Sequence, residues 1–188
     1  MTRILHWALA PLAVLALAGC GGGDDKAAPD GAPAPSARTL AASLDGAGDL
    51  STLDRVVDNA GLSTVLEGKG PYTVLAPADA AFAADAAGTH FTDQTQRAAA
   101  AALLRAHILP GALTRADIRD AISRSGAGGA RMRTMADGLV TFTMDGETIV
   151  ATSADGAQAR LTGGETAASN GVVQPVDALL VKAATPVV

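Results

Sequence analysis

The chain has 188 residues and a formal net charge of −5, with 48% apolar residues but only 3% aromatic ones. An acidic balance of 14 Lys and Arg against 19 Asp and Glu lacks the basic footprint that nucleic acid requires, so no nucleic-acid partner is expected. One cysteine excludes an intramolecular disulfide, and one Trp, one Tyr and three Phe are too few for the stacking platforms that hold bases or sugars.

Residues 1–19 read as an export signal rather than as fold. Arg3 supplies a positive start, Ile4 to Leu17 is mostly apolar though broken by Pro11, and small residues follow. The apolar run is shorter than the roughly 20 residues a membrane-spanning helix needs. Its last four residues with the cysteine, LAGC, resemble the bacterial lipobox, which implies that Cys20 becomes a diacylated N-terminus. The other readings are that Cys20 is the last residue of an ordinary signal, or a stray buried thiol. Cys20 lies among glycines, however, whereas a structural cysteine is set among apolar neighbours. At about 0.8 kcal/mol per buried CH₂, two or three acyl chains anchor durably, so the membrane is an expected partner. Gly21, where an aspartate retains Gram-negative lipoproteins in the inner membrane, points to the outer membrane, facing the periplasm or the cell surface.

Residues 20–38 form the expected linker. Gly21–Arg38 has no aliphatic residue larger than alanine and cannot bury enough surface to offset chain entropy. Such a tether spans roughly 20–25 Å on average and about 60 Å when stretched. One domain, residues 39–183, follows, with a short tail at 184–188.

Within the domain, Ser51 and Asp54 read as a capping-box variant ahead of a helix whose Leu50, Leu53, Val57 and Ala60 share a face. Gly61 is its expected left-handed cap, and Leu62–Leu66 a further helical turn broken by Gly68-Lys69-Gly70. In PYTVLAPADAAF (71–82), alternation over Tyr72–Ala76 predicts a strand that stops at Pro77, with Asp79 capping a new helix. Thr92 and Asp93 are expected to open an alanine-rich helix to about Ala106, after which Ile108-Leu109 turns extended before Pro110. Thr114 with Asp117 caps a short helix with Ile118 and Ile122 inward.

From Arg131 onward, Asp137-Gly138, Asp145-Gly146 and Asp155-Gly156 separate LVTFTM, ETIVAT and AQARLT. Asp-Gly between alternating runs signals hairpins. A calcium loop needs several carboxylates at alternate positions, and these aspartates stand singly. Asn170-Gly171 makes one more turn into a long final strand, Val172–Lys182. Helices followed by antiparallel strands indicate an α+β domain.

Three blocks carry a resemblance. TVLAPADAAF (73–82), LLRAHILPG (103–111) and NGVVQPVDALL (170–180) are similar, in order and spacing, to the signatures of the fasciclin-like (FAS1) domain family. The resemblance spans about residues 39–183. It implies a wedge of two antiparallel β-sheets with N-terminal helices packed on one side, and a non-catalytic adhesion or binding module. Its motif positions here are His107, Pro110, Asn170, Gly171 and Asp177, the expected interaction residues. The family commonly carries Tyr-His at 106–107, a pair linked to integrin binding in animal members; here Ala106 replaces the tyrosine. His107 is then read as a hydrogen-bond donor that locks the helix-to-strand corner. Gln174 and Val176 replace the family's histidine and isoleucine, Pro175 marks an edge strand or a bulge, and Asp177 matches and is expected to cap a backbone turn.

No Gly-x-Ser-x-Gly elbow is present, and His90 and His107 have no acid and serine pattern around them, so no catalytic residue is assigned. Two histidines seventeen residues apart make a weak metal site, and none is expected. SRSGAGGA (123–130) lacks the lysine and preceding strand of a phosphate cradle and reads as a mobile contact loop. The function that results is a membrane-tethered binding module for a protein or glycan partner, without cofactor. The alternative is a carrier of an apolar ligand such as a carotenoid or lipid, with a hydrolase as the weakest reading.

Overall fold

The computed structural model describes residues 36–85 and 88–182. The expected signal, Cys20, the linker up to residue 35 and the tail 184–188 lie outside the described residues. The elements run α1 (Leu40–Asp45), α2 (Ser51–Ala60), α3 (Ser63–Glu67), β1 (Tyr72–Pro77), α4 (Asp79–Ala84), α5 (Arg97–His107) and β2 (Ile108–Pro110). They continue with α6 (Arg115–Ser125), β3 (Ala130–Arg133), β4 (Leu139–Asp145), β5 (Thr148–Ser153), β6 (Gln158–Arg160), β7 (Thr166–Ala168) and β8 (Gly171–Val176).

The fold is α+β, built on two four-stranded sheets in the orders β2-β1-β8-β7 and β3-β4-β5-β6. Strand β1 obeys the two-residue period, but both of its faces are covered. Val74 and Ala76 join Leu53, Phe82 and Leu104 in a core against the helices. Leu75 points the other way, into a second core with Phe142, Ile149 and Val176 between the sheets. The second sheet is an antiparallel meander, as the Asp-Gly turns imply. Asp137 sits at φ 61° and Gly146 at φ 60°, the left-handed conformations such turns need. The first sheet departs from the all-antiparallel expectation in one pair: β1 and β8 run parallel, Val74 opposite Val173. Helices α1 to α5 cover the first core, whereas α6 lays Ile118 and Ile122 into the second.

Gly61 closes α2 at φ 69°, and Thr114 with Asp117 forms a complete capping box on α6, both as expected. Other local readings need correction. Leu50, not Ser51, is the N-cap of α2, and no Ser51–Asp54 box forms, because Asp79 reaches across to that helix end. Ala78 precedes α4 with no side-chain cap. Helix α5 starts at Arg97 rather than Thr92, after 3-10 turns at Gly88–Thr92 and Gln94–Gln96. Asn59 donates to the carbonyls of Phe91 and Asp93 at 2.7 and 2.8 Å, which diverts acceptors a continuous helix would use.

The final strand is six residues long and stops at Val176, because its partner β1 ends at Pro77. It is an inner strand, not an edge. Pro175 is tolerated because β7 pairs only with Gly171–Val173, so the missing N–H lies past the end of that neighbour. The Pro175 carbonyl accepts the Thr162 N–H at 2.8 Å. The glycine-rich loop is also shorter than read, since Ser123–Ser125 complete α6 and Gly126–Gly128 form a 3-10 turn. At the N-terminal side the domain begins before Thr39: Ser36 N–H donates to Ala167 O at 3.0 Å, and Arg38 O accepts from Ser169.

Candidate functional site

Helix α5 is alanine-rich with four buried residues at helical spacing, Ala100, Leu103, Leu104 and His107. The pattern brings His107 inward, where its exposure is 0%. Its Nδ1 lies 2.8 Å from Leu103 O, and its Nε2 lies 2.9 Å from the backbone nitrogen of Leu180. An N–H can only donate, so Nε2 is the acceptor and the ring proton sits on Nδ1, donating to Leu103. Burial lowers the imidazole from 6.5 to about 4, against the opposing pull of the Leu103 carbonyl, so His107 is neutral at pH 7. The ring is a joint between helix and C-terminal segment and presents no surface to a partner.

The other motif positions are architectural too. Asn170 is buried and uses its whole amide: Oδ1 accepts from Leu40 N–H at 2.8 Å, and Nδ2 donates to Leu66 O and Gly68 O at 2.8 and 2.6 Å. It thereby ties the start of α1 and the end of α3 to the turn before β8. Gly171 follows where a Cβ would lie 2.0 Å from Tyr72 O. Pro110, exposed at the end of β2, and Gly171 both lie opposite Tyr72. Asp177 joins the edge of β6 rather than capping a turn, accepting Arg160 N–H at 2.7 Å and returning its own N–H to Arg160 O. These five residues therefore do not converge on one pocket.

A cluster that the sequence pattern did not reveal surrounds Gln174, which is fully buried. Its Nε2 donates to Leu113 O and Glu165 Oε2 at 3.0 and 2.6 Å, and its Oε1 accepts from Arg115 Nε at 3.1 Å. The Arg115 guanidinium also donates to Gly163 O and Thr162 O. Burial lowers the Arg115 pKa, with Glu165 opposing. Each nitrogen of the Arg115 guanidinium and of the Gln174 amide has an acceptor, so the group latches α6 to the β6–β7 connection. The signal in the sequence is a glutamine inside the apolar run VVQPV.

Two of the clefts among the described residues differ sharply in character. One, about 340 Å³, lies among α1, α2 and α3 and carries Asp45, Asp54, Asp58 and Glu67. Burial first, then Asp58 and Asp45, push the Asp54 carboxyl up. The other is apolar, about 190 Å³, and is lined by Ala106, Leu139, Val140, Ala154, Leu180 and Val181. Leu139 at its rim is 43% exposed. Ala106, in the tyrosine position, forms part of its wall. This volume is below the roughly 300–1,000 Å³ of pockets that enclose a drug-sized ligand. Among the described residues, no three His, Cys, Asp or Glu side chains form a group that could hold a metal ion.

The model of the fasciclin domain matches residues 48–182. The chain belongs to the fasciclin (FAS1) domain family. It is 31% identical over 147 residues to "Protein sll1483" of Synechocystis sp. (strain ATCC 27184 / PCC 6803 / Kazusa), covering 77% of this chain and 74% of that one. Among solved structures it is similar to a FAS1 domain pair from the insect cell adhesion molecule Fasciclin I. The TM-score is 0.66 at 14% identity, over 77% of this chain and 51% of the other. The chain thus spans about half the length of that pair, and the likeness is one of fold. FAS1 domains are commonly adhesion or binding modules, and the architecture expected from the three sequence blocks is the one found.

Proposed function

We propose that this FAS1 domain is a non-catalytic binding module, held at the cell envelope by acyl chains on Cys20 and acting through its surface on a protein or glycan partner. The family match over residues 48–182 carries the reading. The solved relative is described as a cell adhesion molecule, which favours contact over catalysis. The LAGC tetrapeptide and the Gly, Pro, Ala and Asp-rich stretch after it support a tethered domain. His107, sealed and neutral with both ring nitrogens engaged, serves as a joint rather than as a base. Animal-type recognition through a Tyr-His pair is not proposed, because position 106 is alanine and the imidazole is buried.

The apolar cleft beside Ala106 favours one second reading, a carrier of an apolar ligand. At about 190 Å³ it suits a short acyl chain rather than a carotenoid. Mass spectrometry of the protein purified from its own host reads this directly. The main reading is tested by immobilising the Cys20→Ser chain and passing solubilised envelope over it. Saturable capture of a defined protein or glycan is expected. Retention of nothing, or substrate turnover by the wild type that vanishes in His107→Ala, overturns it.

A further inference from the structure

The segment after β8, Asp177–Lys182, touches β6 at Asp177 and otherwise pairs with no strand. Its two leucines nevertheless fill both cores: Leu179 is buried in the first and Leu180 in the second. A stretch placed at that seam would ordinarily be held by a backbone ladder, and one bond of that kind is present, from Asp177 N–H to Arg160 O. The remaining anchors are side chains. Leu180 N–H donates to His107 Nε2 at 2.9 Å, and Lys182 N–H donates to Asp155 Oδ2 at 2.9 Å. Asp177 Oδ1 accepts Arg160 N–H at 2.7 Å. All three acceptors are titratable, and a ring nitrogen that gains a proton can no longer accept.

We propose that Asp177–Lys182 is an acid-released strap: protonation of His107 takes the acceptor from the Leu180 amide, protonation of Asp155 removes the charge that strengthens its bond to the Lys182 amide, and together they lift Leu179 and Leu180 off the seam between the cores. Leu180 and Val181 wall the apolar cleft, so release of the strap also opens that cleft. Around His107, its own helix carries Arg97 and Arg105, the packed α2 carries Asp54, Arg55 and Asp58, the 3-10 turn at Gly88–Thr92 carries His90, and the strands and strap carry Arg133, Asp137, Asp155, Asp177 and Lys182; all are exposed except Asp54, which is half-buried. None is buried with the ring to hold an imidazolium in place, so a protonated His107 is relieved by movement of the strap rather than by a new ion pair. His107 titrates first, near pH 4. Asp155 follows at lower pH: burial raises its pKa, but the amides of Lys182 and Ala157 and the Ser153 hydroxyl outweigh it and hold the carboxyl below its ordinary value.

Amide hydrogen exchange on the full chain tests this, with rates at each pH normalised to those of an unstructured chain. Between pH 6 and 4, protection across residues 178–182 is expected to fall at least tenfold while β1 and β8 keep theirs. The Asp155→Ala chain, altered at an exposed site, is expected to lose about tenfold at Lys182 already at pH 7 with β1 unchanged. The proposal is overturned if the strap and β1 lose protection together, if strap protection persists to pH 3.5, or if Asp155→Ala leaves Lys182 as protected as in the wild type.

Discussion

Asp79 caps a helix that lies before it in the chain: its Oδ1 accepts the backbone N–H of Thr52 at 2.7 Å, at the N-terminus of α2. Ser51 adds its hydroxyl to the other carboxylate oxygen at 2.9 Å. Burial pushes the Asp79 carboxyl up, but the Thr52 amide and Ser51 hydroxyl outweigh it and leave the pKa below its ordinary value. Replacing an N-cap acceptor costs about 0.5–2 kcal/mol. Asp79→Ala is therefore expected to lower the unfolding free energy measured in urea by an amount in that range, and the loss should shrink as pH falls through the carboxylate range. That follows because a depressed carboxylate stabilises above its unfolded pKa and ceases to do so once protonated.

His107 sets a second pH window. In the unfolded chain the imidazole titrates near 6.5, in the fold near 4. Between those values the unfolded state holds a proton that the native state does not. Stability is complete above about pH 6.5 and declines as pH drops toward 4, by about 3 kcal/mol in all. Urea titrations from pH 7 to pH 4 should show this slope. His107→Ala should be about 2–4 kcal/mol less stable at pH 7, with the Leu180 N–H left unpaired and the buried ring's packing lost, and should lack the His107 share of the slope.

Asn170 closes three buried bonds with one side chain. Asn170→Ala strands Leu40 N–H and the carbonyls of Leu66 and Gly68, with an expected loss of roughly 2–4 kcal/mol. Asn170→Asp should be no better, since it keeps the Leu40 acceptor but turns a carboxylate oxygen toward two carbonyls. Chemical denaturation of both variants reads the ranking.

Gly171→Ala tests close approach rather than hydrogen bonding. A methyl group there meets Tyr72 O at 2.0 Å, where β8 must lie against β1. Overpacking of this kind costs about 1–3 kcal/mol or more. Gly48→Ala, with nothing within 4 Å of its Cβ, is the control and should be near neutral.

Local chemistry in the sequence specified much of this fold. The alternation of Tyr72–Ala76, the left-handed Gly61, the Thr114–Asp117 box and the Asp-Gly turns all act over a few residues and are visible in a few residues. What stayed hidden is long-range. Asp79 looks like the cap of its own helix, and only the fold brings Ser51 and Thr52 to it. Asn59 reaches forward to Phe91 and Asp93 and so delays α5, which no local propensity records. The parallel pairing of β1 with β8 depends on strand order, and it makes Pro175 compatible with an inner strand. His107 was legible as a structural lock because a lone histidine in an apolar helical face must be satisfied. Its partner, the Leu180 amide, was not, since that segment read as a continuing strand. Arg115 and Glu165 gave no sign at all, because charged residues in a loop-rich stretch look like ordinary surface.

The proposed attachment of this domain to a membrane through Cys20 is read by fractionating cells that express the wild type or Cys20→Ser. Wild-type protein is expected in the membrane pellet, released by detergent but not by salt, with the variant exported and soluble. A variant that pellets like the wild type, or a wild type that is soluble from the outset, contradicts the account.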